Sequence, residues 1–294
     1  MKKIYGIMPP ITTPFMNDEL ALDKLALNIS KWNKTELSGY VVMGSNGESV
    51  FLTRDEKLKL LETVKKNIPE EKLLIAGTGS DSIKETISLS NNAADFGADY
   101  ALILTPSFYK SEMKHTSFIK YFFAIADKSK IPIIIYNVPK FTGVDIEAET
   151  VAQLAEHKNI AGIKNSTENI RLITEMIDQA PKDFAVIVGT ASVLYAALSA
   201  GAAAGILALA NIAPDECVKI QKYVEEGDHF SAIGLQKKMI PVNKAITGKY
   251  GVAGLKAAMD MLGYFGGEPR APLSCLDEID KEKLKQILID ARLL

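Results

Sequence analysis

Short, unbroken runs of apolar residues recur along the chain, and amphipathic stretches of helical length lie between them. The runs are YGIMPPI (5–11), GYVVMG (39–44), KLLIAGT (72–78), YALILTP (100–106), IPIIIYNVP (131–139), IAGIKNS (160–166), FAVIVGT (184–190) and GILALA (205–210). None alternates strictly between apolar and polar positions, which is how a parallel strand reads when both of its faces are covered. In the intervening LTRDEKLKLLETVKKN, Leu58, Leu61 and Val64 fall at helical spacing, and Thr53 with Glu56 fits a capping box. In SDSIKETISLSNNAADFGA, a stripe of Ile83, Ile87, Ser90 and Ala94 predicts a helix opened by Ser80 or Asp81 and ended by Gly97. Eight strands alternating with eight helices predict a (β/α)8 TIM barrel over residues 1–226. A doubly wound open sheet shares the alternation, but near-even repeats and the absence of a glycine fingerprint after the first strand favour the barrel. Residues 227–294 carry only helical patterns, the first of which Pro241 is expected to bend or break. No Ser/Gly-rich linker precedes them, so they are read as a C-terminal helical extension packed on the barrel.

Composition narrows the function classes. Of the 294 residues, 47% are hydrophobic and 24% charged, enough to bury a large core. The net charge of −2 predicts no nucleic-acid footprint and no pull towards anionic membranes. The N-terminus makes a poor signal peptide, and the longest apolar stretch, GAAAGILALANIAP, is too short to span a bilayer. Cys217 and Cys275 share no metal or redox spacing, which fits thiols in a reducing cytosol. His115, His157 and His229 likewise lack metal-ligand spacing, so no metal site is expected. GTGSDS (77–82) lacks the third glycine of a dinucleotide loop and reads as a βα turn with a helix cap.

Chemistry in such a barrel sits at the C-terminal strand ends and in the loops that follow. Lys164 ends the sixth apolar run. A lysine there either snorkels its ammonium to water or serves as an amine that, unprotonated, attacks a carbonyl to form a Schiff base. Tyr136 ends the fifth run, where a phenol is either a packed aromatic or a proton relay. The stretch holding Gly44, Ser45, Asn46 and Gly47 is either an ordinary βα turn or an anion nest suited to a carboxylate. These three signals fall on strand ends 2, 5 and 6 of one rim.

At these residues the sequence resembles the dihydrodipicolinate synthase / N-acetylneuraminate lyase family of Schiff-base aldolases. The resemblance runs over nearly the whole chain, through PPITTPF, GSNGES, LILTPSFY, YNVPKFTG, GIKNST and GVAGLKAAMDMLGYFGGEPRAPL. It implies that Lys164 condenses with pyruvate and that Tyr136 relays protons. Ser45 and Asn46, with Gly47 beside them, would hold the pyruvate carboxylate, and Gly189 and Ile206 would line its pocket. It further implies a homotetramer, a dimer of dimers, that uses no metal or organic cofactor, while the cysteines point to a cytoplasmic protein.

Two positions depart from the family pattern. Biosynthetic members carry an arginine for the second substrate's carboxylate where this chain has Phe141, and Lys140 beside it lacks the bidentate fork. A tyrosine that reaches the neighbouring subunit's site is replaced by Phe108, next to Tyr109. Together with GSNGE, ALAN and GLKAAMDMLGYFGG, these departures direct the expectation to the 4-hydroxy-2-oxoglutarate aldolase branch, which cleaves a 4-hydroxy-2-oxo acid to pyruvate and an aldehyde. The alternative is 4-hydroxy-tetrahydrodipicolinate synthase, which joins pyruvate to aspartate semialdehyde. A non-catalytic oxo-acid-binding barrel, suggested by Phe108, and a phosphate-binding barrel enzyme, suggested by GTAS (189–192), are the rivals from other classes.

Overall fold

A computed structural model describes residues 2–294. The barrel strands are β1 (Gly6–Met8), β2 (Gly39–Val42), β3 (Leu73–Gly77), β4 (Tyr100–Leu104), β5 (Ile133–Asn137), β6 (Ile160–Asn165), β7 (Ala185–Val188) and β8 (Ala204–Ile206). Each pairs in parallel with the next from β2 to β8, and β8 pairs back onto β1. Between β1 and β2 the ring is closed by backbone bonds just past β1. Val41 N–H donates to Pro9 C=O at 3.0 Å, and Ile11 N–H donates to Val41 C=O at 2.9 Å. The helices α1 (Leu22–Trp32), α2 (Arg54–Asn67), α3 (Ile83–Asp95), α4 (His115–Ala126), α5 (Ala148–Ala155), α6 (Ile170–Gln179), α7 (Leu194–Ser199) and α8 (Pro214–Glu225) follow the strands in turn. The arrangement is a (β/α)8 TIM barrel.

The continuous apolar runs resolve into two sets of alternating residues. Met8, Val41, Ile75, Leu102, Ile134, Ile187 and Ile206 cluster inside the ring. Their neighbours Ile7, Tyr40, Leu74, Ile103, Ile135 and Val186 pack under the helices. Strand geometry turns successive side chains to opposite faces, so both sets must be apolar when both faces are covered. On β6, Ile163 belongs to the outer set, which turns Lys164 into the barrel.

After residue 227 come α9 (His229–Lys244), α10 (Gly251–Met261) and α11 (Glu278–Asp290). Trp32 ties this segment to the barrel: its ring stacks on Tyr264 at 5.6 Å, and its Nε1–H donates to Asn211 C=O at 3.0 Å. Pro241 does not break α9, which runs through it to Lys244; the irregularity comes one turn later, as a π turn over Ala245–Lys249.

Other local expectations shift as well. Thr53 and Glu56 do form the capping box of α2, whose buried stripe is Leu60, Leu61 and Val64. The cap of α3 is Ser82, and its buried face is Thr86, Leu89, Ser90 and Ala93, which keeps Ser90 of the expected stripe but not Ile83, Ile87 or Ala94. Hydroxyl pairing explains the rotation. Thr86 Oγ1 donates to Ser80 C=O at 3.0 Å, and Ser90 Oγ lies 2.8 Å from Thr78 Oγ1, so polar side chains are satisfied on the buried face. The last strand stops at Ile206, because the chain turns over Ala208–Asn211 and Asn211 Nδ2 donates to Pro10 and Ala208 carbonyls.

Candidate functional site

The register of β5 and β6 sets Tyr136 directly beside Lys164. Both are only 3% exposed, and Lys164 Nζ lies 4.1 Å from the centre of the Tyr136 ring. Next along each strand, Asn137 and Asn165 turn to the outer face. Asn137 Nδ2 donates to Asp145 Oδ1 at 2.6 Å and to Asn165 Oδ1 at 3.3 Å, which locks the two strand ends in register. Among the described residues, no carboxylate lies within ion-pairing distance of Lys164. Its Nζ faces the barrel mouth over the π face of Tyr136.

The turn after β2 supplies the next groups. Ser45 Oγ and Tyr136 Oη lie 2.9 Å apart, so the serine links the phenol to the turn. Two non-glycine residues with left-handed backbone bracket this turn, Met43 (φ 59°) and Glu48 (φ 55°). Strained backbone of this kind persists only where the surroundings over-determine it. Thr13 is one such contact: its Oγ1 donates to Gly47 C=O at 2.7 Å.

These residues border one cavity of about 330 Å³ at the barrel mouth. Of the residues singled out in the sequence, Lys164, Tyr136, Ser45, Asn46, Gly189 and Phe141 line it together. Gly189 closes the floor against β6: a Cβ there would lie 2.0 Å from Ser166 Oγ, so no larger residue fits. Phe141 stands at the rim, 61% exposed. Gly47 and Ile206 do not line the cavity; Gly47 is held under the turn, and Ile206 lies in the barrel's apolar interior. Phe108 and Tyr109 are also elsewhere, 78% and 70% exposed and packed edge-on against each other.

The rest of the wall combines Lys140 and the GTAS stretch, both noted in the sequence, with Ser166, Glu168, Asn243, Lys244 and Thr247, which were not singled out. Ser166, Thr190, Ser192, Asn243 and Thr247 give it a hydroxyl-rich side, and Lys140, Lys244 and Glu168 add charge. Asn243 Nδ2 donates to Thr190 Oγ1 at 3.3 Å and to Ser192 Oγ at 3.0 Å. Asn243, Lys244 and Thr247 come from α9 and the π turn, so the C-terminal segment builds part of the wall. The visible signal was the interrupted helical pattern around Gly248 and Gly251, since π turns concentrate at functional sites. A second hollow, of about 390 Å³, opens beside the first and is mostly apolar, with Met43, Val50, Phe51, Leu102, Leu104 and Val252 on its walls.

Comparison with known proteins agrees with this geometry. A family model described as the dihydrodipicolinate synthetase family matches residues 3–291. The 4-hydroxy-tetrahydrodipicolinate synthase of Methanothrix thermoacetophila is 34% identical over 287 residues, covering 96% of this chain and 95% of that protein. A crystal structure of dihydrodipicolinate synthase superposes with a TM-score of 0.91 at 34% identity, covering 99% of this chain and 100% of that one. YagE, a prophage protein of E. coli K12 belonging to the dihydrodipicolinic acid synthase family and solved in complex with pyruvate, superposes with a TM-score of 0.92 at 29% identity, covering 99% of both chains. These findings overturn the expectation of a 4-hydroxy-2-oxoglutarate aldolase. Relatives matched over nearly their whole length carry the synthase name instead. Phe141, Phe108 and the GSNGE, ALAN and GLKAAMDMLGYFGG stretches misdirected the expectation, since local variants of this kind occur in a chain whose overall similarity is to the synthases.

Proposed function

We propose, from the premise that this chain belongs to the dihydrodipicolinate synthetase family and is a lyase of the aldolase type, that it is a 4-hydroxy-tetrahydrodipicolinate synthase. In this reading Lys164 joins pyruvate to aspartate semialdehyde through a Schiff base. The observation that carries it is the placement of Lys164: a buried lysine that faces a cavity without a carboxylate partner, beside a tyrosine bonded to the turn that would hold an anion.

The chemistry follows from the geometry. Lys164, as the free amine, attacks the ketone carbon of pyruvate, and water leaves to give an iminium. Ser45, Asn46 and the backbone N–H groups of the turn hold the pyruvate carboxylate. Loss of a C3 proton gives an enamine whose carbon attacks the aldehyde, forming the new C–C bond. Tyr136 Oη, tied to Ser45, carries protons between these steps. The amino group of the second substrate then displaces Lys164 as the ring closes, which frees the lysine. The complex of YagE with pyruvate supports pyruvate as the first substrate.

The exposed Phe108 and Tyr109 serve a subunit contact in a homotetramer. The apolar hollow beside Tyr136 is the receptacle that a partner's aromatic side chain would fill. Sedimentation of the intact protein reads this directly.

The deciding experiment is reduction with borohydride in the presence of pyruvate, followed by peptide mass mapping. The expected adduct sits on Lys164 and is lost in Lys164→Ala along with all turnover. A folded protein that forms no adduct would overturn the reading. With the adduct in hand, consumption of aspartate semialdehyde tests the second half. Phe141→Arg would supply the missing bidentate fork and should lower the half-saturating aldehyde concentration about tenfold, the scale of one charged hydrogen bond.

A further inference from the structure

Glu48 ends the GSNGES turn, two residues after Asn46, and the chemistry above gives it no task. It sits in left-handed backbone between the short turns Ser45–Gly47 and Ser49–Phe51, with its side chain buried. Each of its carboxylate oxygens is taken by the C-terminal segment. Oε1 lies 2.6 Å from Lys256 Nζ on α10, and both side chains are 1% exposed. Oε2 accepts the Arg270 backbone N–H at 2.8 Å. Lys256 Nζ in turn donates to Glu268 C=O at 2.9 Å and lies 4.6 Å from the centre of the Phe15 ring.

The grip extends along the chain. The Arg270 guanidinium donates to Phe51 C=O at 3.0 Å and forks onto Glu56 at 2.7 and 2.9 Å. Residues 48–56, which leave the turn and enter α2, are thus held at three points by the segment after the barrel. A buried ion pair is weak evidence for stability, since desolvating both charges offsets most of their attraction. What such a pair does well is fix a geometry, and here the fixed geometry is a strained turn.

We propose that Lys256 and Glu48 are a positioning pair through which the C-terminal extension sets the Ser45 and Asn46 groups for the carboxylate of the oxo acid. The assignment rests on the pyruvate reading above. Neither residue touches the reacting atoms. The pair defines where the carboxylate docks, so its loss weakens capture of pyruvate more than it slows the steps after capture.

The test measures Lys164 adduct formation against pyruvate concentration, with amide hydrogen exchange of residues 44–51 as a second readout. Lys256→Met should raise half-saturating pyruvate at least tenfold, leave the plateau rate within about threefold, and speed exchange in 44–51. Lys256→Arg, which keeps a charge for Glu48, should hold half-saturation within about threefold and guards against a Lys256→Met chain that fails to fold. The double variant Glu48→Gln with Lys256→Met leaves no buried charge unpaired, so its thermal midpoint should recover while half-saturation stays high. Recovery of both together would overturn positioning in favour of bulk stability. An adduct in the parent chain with unchanged half-saturation and exchange in Lys256→Met would also overturn it. No adduct in the parent chain would overturn the pyruvate reading, and with it the purpose assigned here to the pair, even where exchange in 44–51 responds to the variants.

Discussion

Two loops on the same rim of the barrel are built in opposite ways. The turn after β2 carries Ser45 and Asn46 and is fastened from beneath: Thr13 holds Gly47, Lys256 and the Arg270 backbone hold Glu48, and the Arg270 side chain holds Phe51 and Glu56. The loop after β4 carries Phe108 and Tyr109 and is held through its backbone: Asp81 Oδ1 accepts the N–H groups of Ser107 and Phe108, and Tyr109 C=O accepts the Glu112 N–H at 2.9 Å. Its aromatic rings lean on each other and otherwise face outwards. The first loop is complete within one chain. The second presents large apolar side chains without packing them, as the proposed subunit contact requires. The groups proposed to hold the substrate carboxylate sit on the self-contained loop, where rigid support serves precise placement.

This contrast has measurable consequences, and the largest is in stability. Removing one member of the buried pair, as in Lys256→Met, leaves Glu48 uncompensated and should cost about 3–5 kcal/mol. Burial pushes the Lys256 ammonium below its ordinary pKa, and the neighbouring Glu48 carboxylate pulls it back up. Urea unfolding of the two proteins side by side measures the loss. A difference below about 1 kcal/mol, the range of an exposed pair, would erase the distinction between the loops.

The loop after β4 should behave in the reverse way. Phe108→Ser removes an exposed side chain and should change the stability of the folded chain by no more than about 0.5 kcal/mol. Its effect should appear in sedimentation, as a shift to smaller species at equal protein concentration. A large stability loss without a change in mass would mean that the aromatic pair packs within its own chain.

Much of this arrangement was legible in the sequence. The continuous apolar runs placed all eight strands. The alternation hidden inside them turns Lys164 inwards, because its neighbour Ile163 belongs under the helices. Lys164, Tyr136, Ser45 and Asn46 stood out as polar tips on apolar runs, and folding brings them to one cavity. Three kinds of feature were hidden. A buried hydroxyl such as Thr86 looks like a surface residue until its partner is known, so the face of α3 was turned towards Ile83 and Ile87. Asn243 and Thr247 belong to a helical segment whose docking over the mouth is a tertiary fact, marked locally only by the interrupted pattern at Gly248 and Gly251. Glu48 and Lys256 lie 208 positions apart, each inside a quoted motif, and nothing in either motif says that they meet. Ile206 was expected to line the pocket and lies deeper in the apolar interior, and Ala208, two residues on, lines the cavity instead.

The smallest effect concerns pH and separates the two halves of the fastening. Hydrogen bonds from Arg270 hold the Glu56 carboxyl down at about 2, against an ordinary value of 4.5 and in spite of partial burial. A carboxyl depressed in the folded state stabilises it fully above the unfolded value and loses that contribution as pH falls through the folded one. The thermal midpoint should therefore fall as pH drops from about 5 towards 2, and the part owed to this contact should vanish in Arg270→Met. Because Glu56 stands near the surface, salt screens the contact and its share of the slope should shrink at high ionic strength. The Glu48 and Lys256 pair is sealed from solvent, so the loss caused by Lys256→Met should be the same at both ionic strengths. Equal salt sensitivity for the two would mean that water reaches the pair, and the self-contained loop would then differ from its exposed neighbour in degree alone.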